Sequence, residues 1–399
     1  MKDARPVALY LTRNLVVGGA ERVFLNYVNH AATVSPVVAL LERTGGLVGE
    51  LSADVPCFAR VDANAERAPA LDTAPPAESV ARLALECLWL DRLITRTGAA
   101  AVSSFLMRAH VVALMTRIML RRRIPLVLNI HEHMTGTARF FYPRAYDRAL
   151  MRWIARHLFP RADRIVVVAE ELKRDLVASF GIPASMIDVI HNPVDITSIR
   201  AAAAEPLDAR PPAPSGRRTI VTAGRLVHLK GHDLLLRAVA MLRPAHDVEV
   251  VILGGGDGLA ALERLATELG LQDVVSFVGE QLNPWRFIGR ADVLALTSRT
   301  EAFPCVLTEA MALGVPVLAT DCPGGVRECL LHDSAPCGLI VPPEDPRAIA
   351  SGLDRLLRDA ALRATLVARG LERVARFDLP VARDRYESML TGAIASRSV

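Results

Sequence analysis

Short apolar runs alternate with helix-like segments along this chain, and that alternation limits its fold most. In the first half, strand-like runs occur at 37–41, 101–105 and 126–130, and helix-like segments occur at 80–94 and 109–120. Buried strands separated by helices are typical of a parallel sheet that is covered on both faces. We therefore predict an α/β fold.

A proline-rich segment at 201–218 divides two such series, because a second alternation begins at Thr219. The chain has 399 residues, which is too many for a single hydrophobic core. We predict an N-terminal Rossmann-like domain at 1–200, a linker at 201–218 and a C-terminal Rossmann-like domain at 219–378.

The composition favours a cytoplasmic protein. It is 51% hydrophobic and 23% charged, with a net charge of +4, and its six cysteines form no CxxC pair. No signal peptide and no apolar run long enough to span a bilayer is visible, so we expect any membrane contact to be peripheral. The mildly basic balance is compatible with anionic substrates or membranes, and no nucleic-acid-binding signature accompanies it.

The most informative stretch lies between Glu301 and Pro316. Pro304 suits the first position of a helix, and Gly314 suits a left-handed C-terminal stop. The pattern predicts a helix between these two residues, with Glu301 on the loop before it and Glu309 about one and a half turns inside it. Two Glu residues at this spacing also occur by chance, as surface residues around a helix.

The start of that helix is a candidate phosphate site. We expect the N–H groups of Phe303, Cys305 and Val306 to point outward, where a helix N-terminus attracts anions. Arg225 and Lys230 follow a strand in the second half, and two fixed cations there could neutralise a diphosphate. A surface Arg–Lys pair is the alternative interpretation.

Two glycine-rich segments follow predicted strands, namely Gly18-Gly19 and the run that begins at Gly254. Glycine at such turns lets the backbone approach a ligand closely. A tight turn without a ligand explains Gly18-Gly19 equally well. Gly18-Gly19 does not fit the G-x-G-x-x-G pattern of dinucleotide-dependent oxidoreductases, so that class ranks low.

Histidines and a basic-aromatic segment follow the strand at 126–130. His131 and His133 could form a metal pair, but no third ligand stands nearby in sequence. The segment 138–159 mixes arginines with Phe, Tyr and Trp. This mixture suits an interface with anionic lipid headgroups, and a solvated helix with aromatic side chains in the core is the alternative.

Several motifs together resemble the retaining glycosyltransferases of family 4, which have the two-domain GT-B fold. The similar segments are Glu301–Glu309 as E-x7-E, Gly18-Gly19-Ala20-Glu21, the Arg225 to Lys230 segment, Asn192-Pro193-Val194-Asp195, and Pro323-Gly324-Gly325-Val326-Arg327-Glu328. The resemblance implies two domains facing a cleft, with a C-terminal helix at 379–399 packing back on the first domain.

The resemblance also implies roles for particular residues. Glu301 and His133 would be catalytic, with His131 as the reserve for the histidine. No metal and no cofactor is expected. The implied donor-binding residues are Arg225, Lys230, Glu309, Phe303, Pro304, Cys305, Val306, Gly18, Gly19, Gly254 and Val278.

The implied donor is a UDP- or GDP-linked sugar, and the implied acceptor is a polysaccharide or a lipid-linked saccharide at the inner face of a bacterial membrane. A nucleotide-sugar epimerase of the same fold and a non-catalytic nucleotide-sugar-binding protein remain as alternatives.

Overall fold

The computed structural model describes residues 5–62, 76–207, 217–333 and 335–396, and these residues form two compact units. Unit 1 comprises Met1–His131, Tyr142–His191 and Pro380–Val399, and unit 2 comprises Glu132–Phe141 and Asn192–Leu379. The segment expected to be a linker is helical up to Ala203, and its residues 208–216 lie outside the described part of the chain.

Unit 1 is built on a seven-stranded sheet in the order β3-β2-β1-β4-β5-β6-β7, and every neighbouring pair is parallel. Its strands are β1 (Val7–Thr12), β2 (Ser35–Glu42), β3 (Cys57–Val61), β4 (Ala101–Phe105), β5 (Leu126–Ile130), β6 (Arg164–Val167) and β7 (Ile187–Val189). All five residues of β4 and of β5 are buried, as expected for strands covered on both faces.

The helices of the first half connect these strands. They are α1 (Gly19–Asn29), α2 (Pro76–Thr97), α3 (Met107–Met119), α4 (Met134–Phe141), α5 (Ala145–His157) and α6 (Glu170–Phe180). Helix α4 is the exception in its contacts, because it belongs to unit 2 although its neighbours in sequence belong to unit 1. The predicted helices at 80–94 and 109–120 correspond to α2 and α3.

Unit 2 contains a six-stranded parallel sheet and a short separate hairpin. Helix α7 (Ile196–Ala203) precedes the strands β8 (Arg218–Ala223), β9 (Val248–Leu253), β10 (Val275–Gly279), β11 (Val293–Leu296), β12 (Val317–Thr320), β13 (Leu331–His332), β14 (Ala335–Pro336) and β15 (Leu339–Val341). The order in the sheet is β10-β9-β8-β11-β12-β15, while β13 and β14 pair with each other.

In the described part of the chain after β8 there are eight further α-helices. They are α8 (His232–Leu242), α9 (Leu259–Glu268), α10 (Trp285–Ile288), α11 (Cys305–Ala312), α12 (Val326–Leu330), α13 (Pro346–Arg358), α14 (Ala360–Val374) and α15 (Leu379–Ala395). The core of unit 2 joins Leu235 and Val239 of α8 and Leu353 of α13 to strand residues such as Ile220 and Val250. The prediction of two parallel-sheet α/β domains is therefore confirmed.

The last helix, α15, is bound into unit 1 by buried polar contacts. The Glu387 carboxylate accepts hydrogen bonds of 2.7 Å from the backbone N–H groups of Ala32 and Thr33 and from the Thr33 hydroxyl. The Tyr386 ring stacks on Tyr27 with centroids 4.1 Å apart. Glu387 is 2% exposed, so these three donors stabilise a carboxylate that is itself buried.

We predict that Glu387→Ala destabilises unit 1 by about 2–4 kcal/mol, because it removes three hydrogen bonds to a buried carboxylate and the packing of that side chain. Chemical denaturation of the whole chain measures this change. Asp384→Ala on the same helix is the matched control, since Asp384 is exposed and bonds to the adjacent Arg383. Equal denaturation midpoints for the two variants would contradict the role given to Glu387.

Candidate active site

An ion pair lies at the C-terminal edge of the unit 2 sheet. The Lys230 Nζ atom is 2.6 Å from Oε1 of Glu301, and the Ser298 hydroxyl donates to the same oxygen at 2.6 Å. The Glu301 side chain is 8% exposed and that of Lys230 is 24% exposed. Ligands bind at this edge in open α/β sheets. The predicted Glu301 and Lys230 are thus in direct contact, and Ser298 is an addition to the predicted set.

Lys230 is positioned by a tight turn that requires glycine. Residues His228–Lys230 form a 3₁₀ turn, and Gly231 follows with φ +62°. A Cβ on Gly231 would lie 1.9 Å from the Thr297 carbonyl oxygen, and the Thr297 hydroxyl donates to the Gly231 carbonyl at 2.8 Å. The turn is therefore held against the end of strand β11, beside Ser298.

Glu301 is positioned by a backbone bridge to the loop after β12. Its N–H donates to the Pro323 carbonyl at 3.0 Å, and it pairs with Gly324 in an isolated parallel bridge. Gly324 has φ +116°, and a Cβ there would lie 1.4 Å from the Glu301 carbonyl oxygen. No other residue fits at this position without displacing Glu301.

Helix α11 begins at Cys305, after the loop that carries Glu301, which is one residue later than predicted. Pro304 precedes the helix as its N-cap with ψ +94°, and Cys305 is the first helical residue. The placement of Pro304 at the first helical position was wrong, because its backbone is extended. Gly314 follows the helix with φ +70°, which confirms the predicted left-handed stop.

Asn192 holds the residues in front of α11. Its side-chain Nδ2 donates to the Phe303 carbonyl at 3.2 Å and contacts the Cys305 Sγ at 3.2 Å. Phe303 is buried and packs edge-to-face on Phe377, with centroids 5.2 Å apart. The first N–H groups of α11, including that of Val306, have no carbonyl one turn earlier in the helix, so they suit an anion.

The pKa of the Cys305 thiol shows that several charged groups lie near the start of α11. Its pKa is raised to about 12, chiefly by burial and then by the charge of Glu309. The charge of Glu301 also raises this pKa, while the Asn192 hydrogen bond and the Lys230 charge lower it. Glu309 is half-buried on α11. The predicted residues Lys230, Glu301, Cys305 and Glu309 therefore share one electrostatic environment, and the thiol is protonated at neutral pH.

His133 lies in unit 2, at the N-terminal side of α4. The Gly136 N–H donates to its Nδ1 at 3.0 Å, so we assign the neutral ring a proton on Nε2, which can donate to a ligand. A Cβ on Gly136 would lie 2.8 Å from this Nδ1 and 3.1 Å from the Thr300 hydroxyl. His133 is thus near the residue that precedes Glu301. His131 belongs to unit 1, where it stacks on Phe105 at 5.6 Å.

Arg225 lies on the loop after β8 and is exposed. Its guanidinium carbon is 5.6 Å from the centroid of the Phe141 ring, which is a cation–π contact with the end of α4. Burial raises the pKa of the nearby Glu132 carboxyl to about 7, and the Arg225 charge opposes that rise. Glu132 is a titratable group that the sequence interpretation did not assign to the site.

The glycine-rich segment after β9 packs directly against the loop that carries Arg225. Gly254 has φ +139°, and a Cβ there would lie 2.0 Å from the Gly224 carbonyl oxygen. The Gly254 N–H donates to the Gly279 carbonyl at 2.8 Å. Val278 falls where the β9–β10 register shifts, and its carbonyl accepts from the Gln281 side chain at 3.2 Å.

Gly18 and Gly19 lie in unit 1, where α1 begins at Gly19 directly after the loop that follows β1. Gly18 is extended, with φ −162°, and does not need to be glycine for its backbone conformation. Apart from the reserve histidine His131, all the other predicted site residues lie in unit 2.

The sequence interpretation missed Ser298 and did not give Asn192 a structural role. Ser298 could have been found, because it follows the predicted strand at the edge where ligands bind. The Asn192 contact joins residues 111 positions apart, and no local pattern signals it.

Comparisons with known proteins agree with this geometry. Residues 204–373 match the family model "Glycosyl transferases group 1", and residues 17–198 match the model "Glycosyltransferase Family 4". Both halves of the chain thus match glycosyltransferase models, and the chain belongs to the group 1 glycosyltransferases of the family 4 type. It is a glycosyltransferase with the GT-B fold.

Among characterised relatives, the chain is 28% identical over 381 residues to the N-acetylgalactosamine-N,N'-diacetylbacillosaminyl-diphospho-undecaprenol 4-alpha-N-acetylgalactosaminyltransferase of Campylobacter jejuni, covering 94% of this chain and 96% of that one. It is 33% identical over 238 residues to the D-inositol 3-phosphate glycosyltransferase of Kineococcus radiotolerans, covering 54% of each.

Two solved structures share the fold. Anabaena HepE, in complex with UDP and glucose, aligns with a TM-score of 0.76 at 20% identity and covers 97% of this chain and 100% of its own. The sucrose-phosphate synthase of Thermosynechococcus elongatus aligns with a TM-score of 0.77 at 20% identity and covers 98% and 100%.

We predict that Glu132→Gln removes a pH dependence of stability. The folded pKa near 7 lies above the ordinary value of 4.5, so the folded state binds more protons between these values. The free energy of unfolding therefore falls as pH rises from about 4.5 to 7, by a few kcal/mol in order of magnitude. Thermal unfolding at several pH values should show a smaller fall for Glu132→Gln than for the exposed control Glu263→Gln. The same pH profile in both variants would contradict the assignment.

Proposed function

We propose that this protein is a retaining glycosyltransferase that transfers a hexose or N-acetylhexosamine from a nucleotide-diphospho-sugar. One observation supports the proposal most strongly, namely that Lys230 lies 2.6 Å from Glu301, on the loop that leads into helix α11 at Cys305. A cation and a helix N-terminus suit a diphosphate, and a carboxylate beside them suits sugar hydroxyls.

In this proposal the donor diphosphate binds to Lys230, Arg225 and the N–H groups at the start of α11. Glu309 binds the ribose hydroxyls, and the backbone around Gly254 and Val278 contacts the nucleotide. Gly18 and Gly19 remain proposed donor-binding residues. The donor is UDP- or GDP-linked, and the UDP complex of Anabaena HepE, which has the same fold, favours UDP.

Glu301 stabilises positive charge at the reacting carbon and accepts hydrogen bonds from the sugar. Its two hydrogen bonds from described residues both go to Oε1, so Oε2 can accept a sugar hydroxyl. His133 donates through Nε2 to the sugar. The bond from the anomeric carbon to the β-phosphate oxygen breaks while the acceptor oxygen bonds to the same face. The acceptor proton passes to the leaving phosphate, and no metal takes part.

The acceptor we propose is a lipid-linked saccharide or a growing polysaccharide of bacterial origin. The name of the Campylobacter relative includes a diphospho-undecaprenol group, and that enzyme matches this chain along nearly all of its length. We therefore propose that the protein works at the inner face of the cell membrane.

A screen of UDP- and GDP-sugars with the wild-type protein tests the proposed function. We expect one donor to be hydrolysed slowly without acceptor and to transfer its sugar, with retained anomeric configuration, to a polyprenyl-diphosphate-linked saccharide. Conversion of the donor to its epimer would instead identify an epimerase. Tight donor binding without either reaction would identify a non-catalytic binding protein.

We predict that Glu301→Gln lowers transfer by about 100-fold or more, because a neutral amide stabilises developing positive charge poorly. The affinity for UDP should change little, since the proposed phosphate ligands remain. Kinetics and calorimetry separate the two effects. Glu263→Gln on α9 is the matched control and should keep full activity. Normal transfer by Glu301→Gln would refute the role proposed for Glu301.

An exposed face of α5 supports contact with an anionic membrane. Tyr146, Leu150 and Trp153 lie at positions i, i+4 and i+7 and are each more than half exposed. Arg152 and Arg156 are exposed on the same helix. The Arg148 guanidinium donates instead to the carbonyl oxygens of residues 142 and 143, so Arg148 is not part of this exposed face. No helix among the described residues is both long and apolar enough to cross a membrane.

We predict that the protein sediments with vesicles containing phosphatidylglycerol and that Arg152→Glu with Arg156→Glu releases it. The control pair Arg92→Glu with Arg174→Glu changes the same charge at exposed sites outside α5 and should keep the protein bound. If both pairs of substitutions release the protein equally, net charge alone explains its binding to vesicles. If the wild-type protein never sediments with vesicles, α5 is not a membrane-binding surface.

A further inference from the structure

Five charged side chains form a connected cluster in unit 1, at the C-terminal edge of its sheet. Arg13 follows β1, Glu42 ends β2, and Arg108 lies in the first turn of α3, directly after β4. Arg82 and Glu86 come from the first half of α2. This edge of a parallel sheet is where α/β proteins bind ligands, and the cluster is separate from the residues of the candidate active site in unit 2.

The contacts run from one charge to the next. Arg13 Nε is 3.2 Å from Oε2 of Glu42, and Arg82 bonds to Oε1 of the same carboxylate. Arg82 Nε is 3.2 Å from Oε1 of Glu86, and the Arg108 guanidinium is 2.8 Å from Oε2 of Glu86. Each carboxylate is therefore held between two arginines.

Three of these five side chains are arginines and two are carboxylates. The carboxylates form its inner part, since the side chains of Glu86 and Glu42 are 0% and 11% exposed. The three arginine side chains are 24–28% exposed, although the Nε and Nη2 atoms of Arg108 are themselves buried. Burying charged side chains costs desolvation free energy, and such a network adds little to the stability of a fold. A role in binding a ligand explains the network better than a role in stability.

Arg13 has unused hydrogen-bonding capacity. Among the described residues it bonds through Nε alone, which leaves both terminal amino groups for a ligand. Backbone hydrogen bonds join the loop after β1, which carries Arg13, to the loop after β2. The Glu42 N–H donates to the Arg13 carbonyl, and the Leu15 N–H donates to the Thr44 carbonyl. The buried Thr44 hydroxyl also has no hydrogen-bond partner among the described residues. A planar guanidinium fork matches the geometry of a phosphate.

We propose that this arginine cluster, defined by Arg13, Arg82 and Arg108, binds the phosphate groups that link the acceptor saccharide to its lipid. The inference rests on the proposed function, which requires an acceptor in addition to the donor. A diphosphate could also come from the donor nucleotide, so the experiment must separate the two sources.

Calorimetric titration of the whole protein with farnesyl diphosphate, at saturating UDP, tests the proposal. Saturating UDP occupies the donor site, so the remaining heat reports a second diphosphate site. We expect saturable binding of farnesyl diphosphate and none of farnesol, which lacks the phosphates. Arg13→Gln should weaken this binding about tenfold, and Arg13→Lys should weaken it less because the charge remains while the fork is lost.

The control is Arg174→Gln, which removes an exposed charge from α6 of the same unit and should leave binding of farnesyl diphosphate unchanged. All three variants should keep the wild-type affinity for UDP, which shows that each is folded. An equal loss of affinity in Arg13→Gln and Arg174→Gln would overturn the proposal.

Two further outcomes would also overturn the proposal of an acceptor site, and only the second would overturn the proposed function as well. If UDP binds but farnesyl diphosphate does not, or if the two compete for one site, the arginine cluster is not an acceptor site and the proposed donor site remains. If neither ligand binds, the proposed function fails together with this inference.

Discussion

The ion pair between Lys230 and Glu301 is the interaction on which the candidate site depends. Its carboxylate is almost fully buried, and removing two charges from water costs about as much as their attraction returns. Such a pair contributes little to the free energy of folding, yet the backbone on both sides adopts conformations that position its two side chains. Gly231 and Gly324 have positive φ, and a side chain at either position would collide with the carbonyl of Thr297 or of Glu301. The fold therefore maintains a costly arrangement of charge at the edge of the sheet where ligands bind.

The two units divide the proposed chemistry in a physically simple way. Unit 2 combines a cation, a helix start and a carboxylate, which are the groups that a sugar linked to a diphosphate needs. Unit 1 has the arginine cluster at the C-terminal edge of its own sheet. Segment 132–141 belongs to unit 2 although its neighbours in sequence do not, and it places His133 close to Thr300. A histidine from the first half of the chain thereby joins the site in the second half.

Local patterns predicted the parts of this structure that local energetics decide. The alternation of apolar runs predicted both sheets, and Gly314 predicted the end of α11, because each depends on neighbouring residues. Pro304 was misplaced by one position, since its extended backbone is fixed by tertiary contacts around Phe303. Other features depend on residues that are distant in sequence. They are the contacts of Asn192, the ion pairs of Glu42 and Glu86 with three arginines, and the raised pKa of Glu132. A single sequence contains no local signal for such contacts, so only the folded structure reveals them.

A crystal structure of the protein with bound UDP is the most direct test of the central claim. We expect the β-phosphate to lie within about 3.5 Å of Lys230 Nζ and of an N–H group in the first turn of α11. The Lys230 ammonium would then contact the phosphate, and the Glu301 carboxylate would face the position of the sugar. A nucleotide bound in the cavity of about 430 Å³ between α8 and α9, with the Lys230–Glu301 pair unchanged, would contradict the account.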